Sequence, residues 1–419
     1  MFDLNCIFML VNNTVFLCGY FSAKRSLNTS VLGAWTREER SQSARDELSN
    51  YYLPEFASFM MDKMAYYTKA VDKTCALHFS DTEEASFDVV RLHLWSAPFN
   101  LILFAVEIDM KCIEFNLMTK TLNSLRNCVY YSEMHTAFIE AALGPMVKLY
   151  NQVTDSELSL NDNLTDLIEN GNKFKLFQAV TPTEPVAEDD IDYLLFDTGT
   201  LARHTPNSTG MNAFDYYQSI MEKHRISVFN GWKGLALLDT FTMLSIDTPE
   251  WVVNNWKTDY FGMIFVYQLF RKVFLYNVNT RYRKRTEDVE VLESQLEQFE
   301  KDFCFGSVSY NFLPNIINDA IGNSFDTDND SRQIYQMINN EMEKRRQHAE
   351  ERTNKFLTFL TVMTMFSAIF DFTCLIDNAF DFSLLFGDGK AGYRFISLGL
   401  MIVVVAVYVL IILRQRKKQ

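Results

Sequence analysis

Apolar residues in the first half of the chain recur in short runs of the kind that strands produce. In DVVRLHLW, Val90, Leu92 and Leu94 share one face, while Arg91 and His93 share the other. The run LILFAV is continuously apolar, as in a central strand that is covered on both faces. These patterns predict a sheet with a buried centre.

The other runs before residue 249 predict a mixture of strands and helices. LNCIFMLV and TVFLCGY have the strand pattern, whereas LPEFASFMMDKMAYYTKAV has the pattern of a helix. TPTEPVAEDD is a proline-rich acidic segment and is typical of a loop. We therefore expect a domain of the α/β or α+β class over residues 1–248.

From residue 249 the pattern becomes helical, and residues 249–330 are expected to form a helical subdomain. One helix has apolar residues at alternating spacings of three and four positions, which favours pairing with another helix. This seam consists of Val289, Leu292, Leu296, Phe299 and Phe303. No glycine or proline interrupts the chain from Ser331 to Ile376, so we expect one helix there. Its polar first part, 331–355, is a predicted solvated stalk.

Two segments near the C-terminus are apolar enough to cross a membrane. At 1.5 Å per residue, each covers roughly 30 Å, the thickness of the hydrocarbon core. The first span is 356–376, the outer loop is 377–394, the second span is 395–413 and the basic tail is 414–419. Lys and Arg flank the outer ends of the pair, which predicts a multi-pass protein of the cytoplasmic membrane with both termini in the cytoplasm. A third apolar segment, YFGMIFVYQLFRKVFLY, is interrupted by charge too early to span and predicts a packed helix.

The first span has a stripe of small, polar or flexible side chains at spacings of four and three. A stripe of this kind is avoided toward lipid and tolerated toward other helices or water. It therefore either packs two helices together or lines a pore that several copies form. The long stalk favours a ring of copies. The expected pore-lining residues are Asn354, Leu357, Thr358, Thr361, Met365 and Ala368.

The order of these elements is similar to that of the CorA-like cation transport family. The segment NKFLTFLT, where the first span begins, resembles the family sequence MKxLTxxx. The resemblance is clear over the last 170 residues. Over the first 245 residues, only the general pattern of elements is similar. It implies a funnel-shaped homopentamer in membrane lipid, with a central pore for Mg²⁺ or another divalent cation.

The chain departs from that family at the end of the first span. The family has Gly-Met-Asn there, and its Asn side chains contact hydrated cations at the pore mouth. Leu375, Ile376 and Asp377 stand in the corresponding places, and Phe366 replaces the usual mid-span proline. Acidic residues repeated around a ring would still favour cations. The expected pore mouth consists of Asp371, Asp377, Asn378 and Asp381.

A branch of the family that accompanies type III CRISPR systems also lacks Gly-Met-Asn and has an enlarged cytosolic domain. The chain resembles that branch in both respects. The resemblance implies an antiviral channel that is gated by a nucleotide second messenger, an adduct of S-adenosylmethionine and AMP. Residues 1–248 would then be its cytosolic sensor domain. No sequence motif marks a pocket for such a ligand. A constitutive Mg²⁺-type transporter and a membrane-tethered enzyme or adaptor are the alternatives.

Two charged motifs allow more than one interpretation. DTDND begins like an EF-hand loop, but Ser331 and Met337 replace the Gly and Glu that such a loop needs. It predicts an acidic N-terminus for the stalk helix. The alternative is a looser divalent-cation site at Asp326, Asp328 and Asp330. RYRKR is expected to be a solvated helix end or a contact for phosphate or lipid headgroups.

Composition and motif searches exclude several function classes. The net charge of −14 provides no basic field for direct nucleic-acid binding. The seven cysteines and six histidines have no metal-ligand spacing, and the chain has no nucleophile-elbow or Walker lysine motif. GDGKAG lies between the two spans, where its glycines are expected to turn the chain. We therefore expect that the protein is not an enzyme.

Overall fold

The computed structural model describes residues 9–25, 27, 32–39, 41–128, 135–168 and 173–379, with the isolated positions 399 and 403. The chain divides into two compact units, Met1–Gln336 and Met337–Gln419. The sheet and the helices of residues 249–330 belong to the first unit.

Nine strands of the first unit form one mixed sheet, with neighbours in the order β2-β3-β4-β5-β1-β6-β9-β8-β7. All neighbouring strands are antiparallel except β6 and β9, which are parallel. The strands are β1 (Leu10–Ser22), β2 (Thr36–Arg37), β3 (Ala65–Ser80), β4 (Glu83–Ala97), β5 (Leu101–Glu114), β6 (Lys175–Pro182), β7 (Arg225–Ile226), β8 (Trp232–Ala236) and β9 (Thr240–Ser245).

Helices follow or interrupt these strands along the described chain. The α-helices of five residues or more are α1 (Gln42–Tyr51), α2 (Pro54–Ser58), α3 (Phe115–Arg126), α4 (Gly144–Thr154), α5 (Ile191–Thr200), α6 (Phe214–His224), α7 (Glu250–Asn255), α8 (Val266–Lys284), α9 (Val289–Phe303), α10 (Phe312–Phe325) and α11 (Thr327–Ala379). Short π-helical segments adjoin them at Phe59–Lys63, Ile139–Leu143 and Trp256–Phe265.

The centre of the sheet is buried on both faces. The six residues of LILFAV, at the start of β5, are all buried, which confirms the prediction of a covered central strand. Leu92 and Leu94 of β4 belong to the main hydrophobic core together with Met118 of α3. On the other face, the segment Trp256–Phe265 packs through aromatic rings, and Phe261 stacks on Phe16 of β1 with ring centroids 3.8 Å apart.

The structure corrects two predictions about the N-terminal elements. The segment predicted as one helix, 53–71, is helical only to Lys63, and from Ala65 it forms strand β3. Its tyrosines and β-branched residues pair with β4, and Met64 has extended backbone angles that end the helix. The two predicted strands of residues 4–20 are one strand from Leu10 onward, and residues 4–8 lie outside the described residues.

The helical predictions after residue 249 are confirmed. The seam of α9, from Val289 to Phe303, is buried, and Phe299 stacks on Phe274 of α8 with centroids 4.1 Å apart. The segment 260–276, predicted as a packed helix, contributes buried residues to the π-helical segment and to α8. Buried aromatic packing therefore holds α8 and α9 together.

The segments predicted as the stalk and the first span form one helix, as expected. Helix α11 runs without a break from Thr327 to Ala379. Within the described residues, its part Thr327–Phe372 is the one helix that is long and apolar enough to cross a membrane, and its most apolar stretch is not buried. The protein is thus compatible with membrane association. Apart from positions 399 and 403, the second predicted span lies outside the described residues.

Candidate functional site: a cleft beside the sheet

A cleft of about 560 Å³ lies in the first unit, between strands β3–β5 and the π-helical segment Trp256–Phe265. Its floor comes from side chains on the sheet face opposite the main core. Its walls come from the β2 strand, the α2 region and the π-helical segment. We define this site by the three sheet residues at its floor, Tyr66, His93 and Glu107, and by Phe261 on the wall.

The three floor residues form a hydrogen-bonded chain across neighbouring strands. Tyr66 Oη lies 2.7 Å from His93 Nδ1, and His93 Nε2 lies 3.0 Å from Glu107 Oε2. The strand register explains the diagonal. His93 is opposite Thr68 of β3 and Ala105 of β5, and Tyr66 and Glu107 are two residues from these partners. Because side chains alternate with a period of two, all three project from one face.

Aromatic rings line the cleft beside this chain. Tyr66 stacks on Trp95, its direct cross-strand partner, with centroids 5.1 Å apart and planes 17° apart. Phe261 meets Trp95 edge-on at 5.8 Å. Trp95 is buried and Tyr66 is half-buried. Aromatic rings therefore form part of the cleft lining, and aromatic pairs prefer offset stacking.

The lining of the cleft carries both signs of charge. Arg45 donates to Asp62 at 2.8 Å, and this hydrogen bond lowers the pKa of the Asp62 carboxyl. Glu38 accepts a hydrogen bond from Thr68 at 2.6 Å. The cationic residues are Arg37, Arg45, Arg91 and Lys257, and the acidic ones are Glu38, Glu39, Asp62 and Glu107. The cleft is therefore suited to a ligand with both anionic and cationic groups.

One wall of the cleft is π-helical over ten residues, from Trp256 to Phe265. Long π-helical stretches are rare in proteins and are frequent at functional sites. Gly262 lies in this wall, and a Cβ atom placed there would meet no atom within 4 Å. The segment continues directly into α8, so the cleft wall and α8 are parts of one continuous helical element.

The predicted pore-lining residues all lie on α11. Five of them are exposed, and Thr358 is half-buried. Thr358 donates to the carbonyl oxygen of Asn354 at 2.7 Å, and Thr361 donates to that of Leu357 at 2.8 Å. The helix itself thus satisfies these hydroxyl groups. Their polarity is therefore compatible both with a pore and with packing between helices.

The predicted pore mouth is described only in part. Asp371 is exposed on α11. Asp377 and Asn378 lie in the last turn of the same helix, which continues to Ala379. Asp381 lies outside the described residues.

The structure gives no support to a metal site at the DTDND motif. Asp328 is paired with Arg271 at 2.8 Å, and Asp330 is paired with Lys272 at 2.5 Å. Asp326 has left-handed backbone angles and follows the end of α10. Among the described residues, no group of three or more His, Cys, Asp or Glu side chains could hold a metal ion. Cations of α8 already neutralise two of the three carboxylates, which form an acidic first turn of α11 as expected.

The sequence does not predict the cleft as a whole, although it predicts which face of β4 carries some of its residues. The alternation in β4 correctly places Arg91 and His93 on the face opposite Leu92. The place of Tyr66 on the sheet was not predicted, because its segment was predicted to be helical. The contribution of Phe261 depends on how a distant segment packs on the sheet, which no local pattern encodes.

Comparison with known proteins gives no relative, since no protein-family model, no curated protein and no solved structure matches the chain.

Proposed function

We propose that the protein is a ligand-gated membrane channel whose sensor is the cleft of the first unit. The observation that carries this proposal is the continuity of α11. The helix begins beside α8 and α10, in the unit that contains the cleft, and continues without a break into a segment able to cross a membrane. A helix of 53 residues is about 80 Å long, and it is stiff enough to transmit tilt or rotation.

The proposed membrane part is a homo-oligomer, with five copies of α11 around a central axis. The stripe from Asn354 to Ala368 would face the axis, and Leu357 and Met365 would form an apolar constriction that closes by dewetting. The channel would lie in the cytoplasmic membrane. With two spans per copy, both termini would be in the cytoplasm. The conducted ions would be cations, because Asp371, Asp377 and Asp381 would create a negative mouth.

The proposed ligand is a nucleotide second messenger of the S-adenosylmethionine–AMP type. Two properties of the cleft support it. Aromatic residues that include Trp95 and Phe261 line the cleft and suit a base, and the lining combines Arg91 and Lys257 with Glu38 and Glu39. An adduct of this type carries phosphate as well as cationic groups, so both signs of charge would find partners. With such a ligand, the protein would act in antiviral signalling.

A modest ligand preference would be enough to gate such a channel. Moving the balance from 1:99 to 99:1 needs about 5.5 kcal/mol of preference for the open state. Five identical sites would supply that at roughly 1 kcal/mol each, which is within the usual range of coupling free energies.

The deciding experiment measures cation flux from vesicles that contain the full chain, with and without the adduct. We expect flux only when the adduct is present. A Gly-Gly insertion after Arg346 should abolish this flux while leaving adduct binding unchanged, because it breaks the stalk. The matched control is Arg346→Ala, which leaves the helix intact. Flux that needs no ligand would support the constitutive transporter instead, and an unchanged flux response after the insertion would exclude α11 as the coupling element.

A further inference from the structure

We propose that the cleft continues into a second cavity of about 260 Å³, and that this cavity binds the phosphate group of the ligand between Lys111 and Lys257. It rests on the proposed function, because it takes the ligand to be a nucleotide, and it adds the residues that hold the phosphate. We call the second cavity the polar subsite and define it by Thr14, Asp109, Lys111, Thr181 and Lys257.

The strand register places the polar subsite beside the floor of the cleft. Phe16 of β1 is opposite Glu107 of β5, and both line the cleft. Thr14 is opposite Asp109, two residues further along the same strands, and both line the polar subsite. Because side chains alternate with a period of two, both rows project from one face of the sheet, about 7 Å apart. The two cavities are therefore neighbours on the same sheet face.

Lys257 joins the two cavities, since it contributes to the lining of both. It belongs to the π-helical wall, and its side chain is half-buried. The preceding residue, Trp256, is buried and stacks on Phe241 of β9 with ring centroids 5.7 Å apart, which holds the wall against the sheet. Lys257 forms no hydrogen bond or ion pair with any residue that the structure describes. An anionic ligand group would compensate the hydration that this half-buried ammonium group has lost.

Pairing within the protein uses the acidic groups of the cleft and leaves positive charge over. Two arginines of the lining are paired with acidic residues, at 3.7 and 2.8 Å. The other acidic side chains of the lining contact a threonine and a histidine. Arg91 and Lys257 form no ion pair in the described part of the chain. Arg91 is exposed, so water screens its charge more strongly than that of Lys257.

The lining of the polar subsite carries the same excess of positive charge. Lys111 of β5 is exposed and pairs with no described residue. Asp109 is the one acidic residue among the described residues of this lining, and Thr14 donates to its Oδ1 at 2.6 Å. The lining thus contains two ammonium groups and one carboxylate, and Thr181 of β6 adds a hydroxyl group that can donate. A phosphate group, which is anionic and accepts hydrogen bonds, is the ligand group that this combination favours.

A nucleotide can use both cavities at once. Its base would lie among the aromatic rings of the cleft, whose lining includes Trp95 and Phe261. Its phosphate would meet Lys257 where the cavities join and Lys111 in the polar subsite. The lysines would then supply the part of the affinity that depends on the phosphate, and the cleft would supply the part that a nucleoside shares.

The test compares two probes that differ by the phosphate group, AMP and adenosine. Affinities are measured by titration calorimetry on the detergent-solubilised full chain. We expect the wild type to bind AMP about tenfold more tightly or better, since charge-assisted hydrogen bonds are strong. Raising the salt concentration should weaken the binding of AMP more than that of adenosine. Lys257→Gln and Lys111→Gln should each lower the ratio of the two affinities while the affinity for adenosine stays the same.

Two further variants separate the charge from other effects of substitution. Lys257→Arg retains the positive charge and should keep most of the preference for AMP. Lys73→Gln is the matched control, because Lys73 is an exposed lysine of β3 that lines neither cavity. It should keep the wild-type ratio.

Several results would overturn the phosphate site. They are equal affinities for the two probes in the wild type, no binding of either probe, or an unchanged ratio in either glutamine variant. Cation flux that depends on the adduct and survives both substitutions would also overturn it, while leaving the proposed channel intact. Binding of AMP that depends on the two lysines, without any cation flux, would overturn the channel and leave the phosphate site intact.

Discussion

Arg271 Nη2 of α8 lies 2.8 Å from Asp328 Oδ1 in the first turn of α11. The next residue of α8, Lys272, contacts Asp330 Oδ2 at 2.5 Å and the carbonyl oxygen of Phe325 at 2.7 Å. Helix α8 continues from the π-helical wall of the cleft. Two neighbouring ion pairs therefore connect the cleft wall to the start of the long helix.

The first prediction tests this connection by charge reversal. Lys272→Glu replaces attraction to Asp330 by repulsion, so ligand-dependent cation flux should be lost while ligand binding remains. The loss of unfolding free energy should be small, about 1 kcal/mol, since both side chains are partly solvated. The double variant Lys272→Glu/Asp330→Lys should restore flux. Lys284→Glu, at the exposed end of the same helix, is the control and should behave like the wild type. Failure of the double variant to recover flux would show that this pair does not couple the elements.

The second prediction concerns Gly262 in the cleft wall. A Cβ atom there meets nothing within 4 Å, so Gly262→Ala should be accommodated. It should raise the free energy of unfolding by about 0.5–1 kcal/mol, because alanine restricts the unfolded chain and favours helix. Gly262→Phe should instead block ligand binding, since the ring would extend into the cleft. Thermal unfolding and calorimetric binding separate the two effects. Strong binding by the phenylalanine variant would mean that the ligand does not use this cleft.

Helices with a strong periodic or unbroken pattern were predicted correctly from the sequence. Features that depend on packing between distant segments were not. The seam of α9 was predicted because each of its residues is buried against one side, and repetition over fifteen residues makes that pattern distinct. The unbroken helix α11 was predicted because neither glycine nor proline interrupts it. The segment 65–71 was misassigned because a long partner strand overrides its local preference. Propensity is a weak constraint when tertiary pairing competes with it.

The β1 strand shows a second limit of local reasoning. Asn12 and Asn13 lie between the two runs that were predicted as strands, and Asn is depleted in strands. In the structure Asn12 Oδ1 accepts from the backbone N–H of Cys112 at 2.9 Å, across a β-bulge. Asn13 is buried and donates to Gln178 Oε1 at 3.1 Å. Partners a hundred or more residues away make these polar residues compatible with the strand, and the candidate site depends on the same kind of distant partner.

The third prediction concerns the reactivity of cysteines in the first unit. Burial raises the pKa of the Cys18 and Cys128 thiols well above the ordinary value, so little thiolate is present at neutral pH. Cys112 is exposed. We expect a maleimide to modify Cys112 at least about 100-fold faster than Cys18 or Cys128 in the native full chain. Peptide mass spectrometry after brief labelling measures the three rates, and labelling in urea should make them similar. Fast native labelling of Cys18 would contradict its place in the sheet.

The last prediction concerns the buried histidine between two carboxylates. His204 Nδ1 lies 2.9 Å from Asp197 Oδ2, and Nε2 lies 3.0 Å from Asp190 Oδ2. Burial alone lowers the pKa of His204, but the hydrogen bond to Asp197 and the charges of both aspartates outweigh it, so the pKa is raised. Burial also raises the pKa of Asp197, and His204 opposes this only partly. Both groups therefore hold protons more tightly in the folded protein than in the unfolded chain.

The sign of the pH dependence follows from these shifts. The stabilisation from protonated His204 is complete below the unfolded histidine pKa, about 6.5, and is lost as pH rises through the higher folded value. The free energy of unfolding should therefore fall as pH rises above about 6.5, and His204→Asn should remove most of this slope. Urea unfolding of the full chain in detergent measures it by tryptophan fluorescence, because all five tryptophans lie in the first unit. His78→Asn, at an exposed histidine, is the control and should keep the wild-type slope. An unchanged slope in His204→Asn would place the titrating group elsewhere.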